Sequence, residues 1–210
     1  MKHLATATLL ATLTACATTP ASPTPVQHTG PELAHTTLET ITIAPESDRD
    51  TYERDAFSDW VTVITGCDTR DMVLLEEDMS GRVTADDCGS RMTGEWYSAY
   101  DGVTVTDSSD LDIDHMVPLA EAWESGAADW SPEKRADYAT WLEDPDHLIA
   151  VTAASNRSKG DRDPAEWLPA DEAAWCWYAQ TWTRIKEHWG LTADPAEYDA
   201  LAGILSACQP

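Results

Sequence analysis

Basic residues are scarce in this 210-residue chain: 13 Lys and Arg stand against 38 Asp and Glu, a net charge of −25. A surface of that sign repels polyanions, which excludes tight, sequence-blind duplex binding through a broad basic face. Contact with a phosphate ester therefore needs a local positive pocket or a metal ion. Phenylalanine occurs once, but ten tryptophans and an apolar share of 42% supply bulky core material. The length suits one domain. No Cys-x-x-Cys spacing occurs among the five cysteines, which argues against a four-cysteine zinc site. No internal repeat occurs. The apolar run near the N-terminus is too short to span a bilayer.

That run, with its short basic start, fits the apolar region of an export signal over residues 1–16. Its end, Leu13-Thr14-Ala15-Cys16, has the form of a bacterial lipobox, in which Cys16 becomes the lipid-bearing first residue. Ordinary cleavage in the Ala-rich stretch is the alternative. The expected location is thus the outer side of the cell membrane, held by a lipid anchor only, or free secretion. Residues 17–36, rich in Thr, Pro, Ala and Ser, read as a flexible tether ahead of a domain at 37–210. With Cys16 set aside, Cys67, Cys88, Cys176 and Cys208 form an even set that suits two disulfides in an exported protein. Three pairings are possible, and proximity in sequence favours Cys67–Cys88 and Cys176–Cys208.

Element signals alternate between strand and helix, an α+β pattern. Leu38 to Ala44 alternates like a half-buried strand. The stretch from Tyr52 to Trp60 reads as an aromatic segment on the domain edge, and Thr69 to Asp78 as a short helix. Trp96 to Thr106 reads as a hairpin turning at Asp101-Gly102. A strand over Leu111 to Val117 is followed by a two-turn helix that Pro118 opens and Gly126 closes. Ser131-Pro132, Asp163-Pro164 and Asp194-Pro195 share one helix-start grammar, and Glu166 and Glu197 complete a capping-box pattern in the last two. Leu148 to Val151 is a short buried strand. Over about 171–189, Trp175, Tyr178, Trp182, Ile185 and Trp189 recur at helical spacing, which marks a core face.

Two segments carry the chemistry: Asp112-Ile113-Asp114-His115-Met116-Val117-Pro118-Leu119 and Asn156-Arg157-Ser158-Lys159-Gly160-Asp161-Arg162-Asp163-Pro164. His115 titrates near neutrality and can take a proton from water. Asp114 is a hard oxygen ligand suited to Mg²⁺, and Asn156 adds a neutral carbonyl oxygen that leaves the ion electrophilic. Lys159 or Arg157 can meet a phosphate. Taken singly, each has a bland reading: a structural histidine, a turn-capping Asn, a solvated Lys. Asp163 reads as the cap before Pro164, and Asp161 either supports the site or lies on the surface. Arg70, next to Cys67, either reaches the phosphate or forms a structural salt bridge.

The order Asp-His, helical insertion, short apolar strand, Asn-x-x-Lys resembles the secreted HNH endonuclease family, whose domain also ends the GmrSD-type restriction endonucleases. The stretches Ala122-Trp123, Ser125-Gly126-Ala127, Trp167-Leu168-Pro169, Gly66 to Arg70 and Tyr100-Asp101-Gly102 carry the same likeness. The resemblance implies a ββα-metal core over about 110–168, embedded in a mostly helical domain with a small sheet and C-terminal helices over 171–206. It also implies His115 as general base, Asp114 and Asn156 as ligands of a divalent metal (Mg²⁺, with Mn²⁺ or another ion as alternatives), and Lys159 as phosphate contact. His147 falls where relatives commonly carry Asn, and would brace the loop that holds the base. The implied substrate is nucleic acid, bound in a local pocket. Two rivals remain: an extracytoplasmic metallo-phosphodiesterase on small esters, and a non-catalytic surface-binding lipoprotein.

Overall fold

A computed structural model describes residues 31–58 and 61–208. The export segment, Cys16, residues 17–30 of the expected tether, and Trp60 lie outside the described residues. Among the described residues there are seven α-helices and three two-stranded antiparallel sheets, so the expected single small sheet is instead three separate ribbons. No helix there is long and apolar enough to cross a membrane.

The chain enters through α1 (Pro31–Leu38), which turns residues 31–36 from the expected tether into part of the folded domain. Ala34 and Leu38 sit in the larger core cluster. The strand expected over Leu38 to Ala44 is absent. Leu38 is the last residue of α1, and the only pairing is an isolated parallel bridge between Ile43 and Ala193. Tyr52 and Phe57 pack edge-on against Trp123, and Phe57 is buried in the larger core, so the segment expected on the domain edge reaches into that core.

A first ribbon, β1 (Thr62–Ile64) with β2 (Cys67–Asp68), leads into α2 (Thr69–Glu77). Asp68 caps α2, and a reciprocal bond from Asp71 completes a capping box. The second ribbon is the expected hairpin: β3 (Thr93–Ser98) pairs with β4 (Val103–Asp107). Gly102 holds its turn at a φ of 69°. Both favoured disulfides form, Cys67–Cys88 and Cys176–Cys208.

The third ribbon positions the site. Strand β5 (Leu111–His115) pairs with β6 (Leu148–Thr152), Asp114 opposite Ile149 and His115 opposite Leu148. Between them lie α3 (Leu119–Glu124), closed by Gly126 at a φ of 123°, and α4 (Pro132–Ala139), capped by Ser131. Helix α5 (Ala153–Lys159) follows β6 directly, its first turn capped by the Thr152 hydroxyl. The ribbon separates two cores. Leu111, Ile113, Leu148 and Ala150 face the smaller one with Trp96, whereas Ile149 and Val151 face the larger.

Asp163 makes its capping bonds, to Ala165 N and Glu166 N, but no helix follows. Pro169 lies too close downstream and disfavours helical geometry just before it. Helix α6 (Trp175–Trp189) buries Tyr178, Trp182 and Ile185 as its stripe predicts. Helix α7 (Pro195–Ala207) is capped by Asp194. Glu197, expected in a capping box, turns inward instead and meets Lys186 of α6 at 2.6 Å.

Candidate active site

Asp114, His115 and Asn156 line one cleft of about 500 Å³, together with Tyr52, Arg54, Arg157 and Asp161. Strand β5 delivers the first two at its end, where the chain leaves the ribbon. Helix α5 delivers Asn156 one turn after the neighbouring strand. The sequence brings these groups together because β5 and β6 pair in register and α5 begins with no loop between.

His115 is 5% exposed. Its Nε2 lies 2.9 Å from the carbonyl of Ala139, the last residue of α4. A carbonyl can only accept, so the proton sits on Nε2 and Nδ1 keeps its lone pair. Burial, aided by the positive charges of Arg54 and Lys159, pulls this imidazole down to about 4, so it is neutral at ordinary pH. His147 repeats the arrangement: its Nε2 donates to the Tyr138 carbonyl at 2.7 Å, and burial lowers it to about 3. Carbonyls in the last turn of α4 thus fix both rings. His147 also supplies the carbonyl that accepts from Met116 N, 2.9 Å away, directly after the His115 strand.

Asp114 is held by one oxygen. Its Oδ2 accepts from Lys159 Nζ at 2.6 Å and from the Tyr100 hydroxyl at 2.7 Å, and Oδ1 takes no hydrogen bond among the described residues. Burial raises this carboxyl against the opposing pull of Lys159, and burial likewise lowers Lys159. Lys159 is wholly buried and also donates to the His115 carbonyl at 2.8 Å. The residue expected to meet phosphate therefore lies beneath the cleft and ties α5 to β5. The cations that line the cleft are Arg54 and Arg157.

Asn156 donates its Nδ2 to Asp112 Oδ2 at 3.1 Å, which leaves its carbonyl oxygen for a ligand. Asp112 shares the Asp114 face of β5 by the two-residue period of a strand, and Arg157 Nε lies 3.7 Å from it. Asp161 is exposed, lines the cleft and pairs with Arg49. Arg70 stands apart: its guanidinium donates to the carbonyls of Ser108 and Leu111, holding α2 against the loop before β5, and it does not line the cleft. Sequence reasoning missed Tyr52 and Arg54. It also missed Tyr100 as the second support of Asp114, although Tyr100-Asp101-Gly102 stood among the shared motifs. Asp101 of that motif accepts from Ser155 Oγ at 2.8 Å and from Thr152 Oγ1, fastening the hairpin turn to the start of α5.

A carboxylate oxygen and an amide oxygen, donor types that suit a small hard cation, border one cleft, and among the described residues no thiolate lines it.

Comparison with known proteins agrees with the motifs. Residues 77–204 match the family described as GmrSD restriction endonucleases, C-terminal domain. An uncharacterized secreted protein of Arthroderma benhamiae is 39% identical over 200 residues, covering 95% of this chain and 97% of the relative. No solved structure matches the chain.

Proposed function

We propose, from the premise that the chain belongs to the family of the GmrSD restriction endonuclease C-terminal domain, that it is a metal-dependent endonuclease of the HNH type. It would hydrolyse nucleic-acid phosphodiester bonds outside the cytoplasm, with β5, β6 and α5 as its ββα-metal core. The observation that carries the reading is the tautomer of His115. The bond to Ala139 O puts the proton on Nε2, so a neutral ring with a basic Nδ1 borders the cleft that Asp114 and Asn156 share.

His115 Nδ1 takes a proton from water as the water oxygen attacks phosphorus in line with the 3′ oxygen. The new P–O bond forms as the P–O3′ bond breaks, and the departing 3′ oxygen takes a proton from bulk water, giving 5′-phosphate and 3′-hydroxyl ends. A divalent cation, Mg²⁺ or Mn²⁺, held by Asp114 and Asn156, would supply charge neutralisation at the phosphate and the departing oxygen. Lys159 and Tyr100 hold Asp114 in place from below. Arg157, exposed at the rim, takes over the phosphate contact that a buried Lys159 does not make. Export rests on the secreted relative and on the two disulfides, which suit an oxidising compartment. The lipid anchor at Cys16 stays part of the proposal.

Cleavage of plasmid and of single-stranded DNA with Mg²⁺ tests the reading. His115→Ala is expected to lose about 10²–10⁴-fold in rate, and EDTA to abolish cleavage. Nicking that survives His115→Ala removes the base, and nicking that survives EDTA removes the metal. A small-ester phosphodiesterase would hydrolyse bis(p-nitrophenyl) phosphate and leave every nucleic acid intact.

A further inference from the structure

We infer that the preferred substrate is a single strand, and that its longer bound arm runs from the cleft across Arg157 into the groove beside β4. This deepens the nuclease reading and rests on it. The cleft has two flanks of opposite character. On one, Asp161 lines both the cleft and a neighbouring cavity of about 200 Å³ whose other walls include Glu46, Glu124, Asp163 and Glu166, with Arg49 as the cation within it. Arg49 is already spent on Glu124, at 3.0 Å, and on Asp161. Beyond that cavity come Asp48 and Asp50. A phosphate chain moving this way meets carboxylates.

On the other flank, Arg157 lines both the cleft and a groove of about 630 Å³. The groove is walled by the hydroxyl-bearing Thr104, Thr106, Ser109 and Thr152, and holds one carboxylate, Asp110. Strand β4 pairs with β3 alone among the described residues, so its outer edge keeps unpaired backbone groups. Neutral hydroxyls, apolar Val103, Ala153 and Ala154, and one shared arginine form a surface along which a phosphate backbone meets a single carboxylate, with the exposed Val103 able to pack against an unstacked base. Duplex DNA carries one charge per roughly 1.7 Å of axis, and its second strand would be pressed toward the acidic flank. A single strand avoids that flank.

The experiment uses single-stranded oligonucleotides of increasing length, matched duplexes, and bis(p-nitrophenyl) phosphate as a substrate that needs the cleft alone. For the wild-type protein, kcat/KM should climb with single-strand length and fall on matched duplex. Thr104 and Thr106 are exposed, so Thr104→Glu with Thr106→Glu should fold normally. The double variant should flatten the length dependence, about tenfold at the longest strand through like-charge repulsion, and leave bis(p-nitrophenyl) phosphate hydrolysis unchanged. Asp110→Lys should steepen it. An active enzyme whose double variant keeps the full length dependence, or whose wild type cuts duplex as fast as single strand, overturns the track while the nuclease reading stands. A wild-type protein inert on every substrate overturns both.

Discussion

Lys159 and Lys186 are both wholly buried, both on helices, and both bonded to carboxylates at 2.6 Å, yet their surroundings push them in opposite directions. Lys186 of α6 meets Glu121 of α3 and Glu197 of α7, with Ser125 Oγ at 3.0 Å and Thr192 O at 2.9 Å. Two carboxylates outweigh burial, and its ammonium is held above the ordinary lysine range. Lys159 has one carboxylate and one carbonyl, so burial wins and its ammonium is held below that range. The first cluster joins three helices around one cation, with Glu121 also lining the acidic cavity beside Glu46. In the second, Asp114 lines the cleft and its Oδ1 takes no hydrogen bond among the described residues. Two acids on one lysine tie helices together, whereas a single acid with a free oxygen can also hold a ligand in position.

The sharpest way to break this comparison is to remove each lysine. Lys186→Met leaves two acids in the core without their cation, a loss of about 3–5 kcal/mol. That corresponds to a melting temperature lower by roughly 10 °C or more in a domain of this size. Lys159→Met should lower the melting temperature by about half as much, since only one acid is stranded and it borders the cleft. Its larger effect should be on cleavage, with a loss on the order of 10²-fold, because an Asp114 without its cation takes up a proton and can no longer serve as the proposed ligand. Equal melting losses in the two variants, or an active Lys159→Met enzyme, would erase the distinction.

The arrangement of Asp114, His115 and Asn156 was legible because it is local. A strand end and a helix start lie in paired register, which brings the two segments together. The burial of Lys159 was not legible, since no spacing rule shows that Tyr100 and β5 close over the end of α5. Arg70 likewise meets carbonyls from a loop about forty residues away, and Asp161 meets Arg49 from the N-terminal segment. The alternation at Leu38 to Ala44 misled because a strand is defined by its partner. Ile41 buries and Ile43 stays half exposed, but only Ala193 is there to pair. Asp163-Pro164 carried a sound start signal, and Pro169 supplied the stop before a helix could grow.

A titration sharpens the contrast in charge. With both acids ionised, the Lys186 cluster carries one surplus negative charge. Burial and the neighbouring Glu121 accordingly raise Glu197 to about 7 against the pull of Lys186. A carboxyl raised in the folded state favours folding fully below its unfolded value of 4.5, and that contribution is lost as pH rises through about 7. Wild-type stability should therefore fall between pH 5 and pH 8 by on the order of 2 kcal/mol from this group. Glu197→Gln, which mimics the protonated form, should flatten that slope in chemical denaturation at several pH values. An unchanged slope would mean that the surplus charge is carried elsewhere.

The smallest expected effect concerns Asp112, which sits at the Lys159 site and has no counterpart at the Lys186 cluster. Its Oδ2 accepts from the Asn156 amide, which sets which end of that amide is left for a ligand. Asp112→Asn keeps an oxygen acceptor there and should keep kcat. Asp112→Ala lets the amide turn and should lower kcat by about tenfold, equivalent to about 1.4 kcal/mol, while any change in KM from freeing Arg157 should appear equally in Asp112→Asn. Arg157 provides the internal check, since both substitutions release it from Asp112 alike. Equal losses of kcat in the two variants would show that the charge of Asp112 matters rather than its hydrogen bond, and would make it a ligand in its own right. No loss in either would mean that Asn156 is oriented without it.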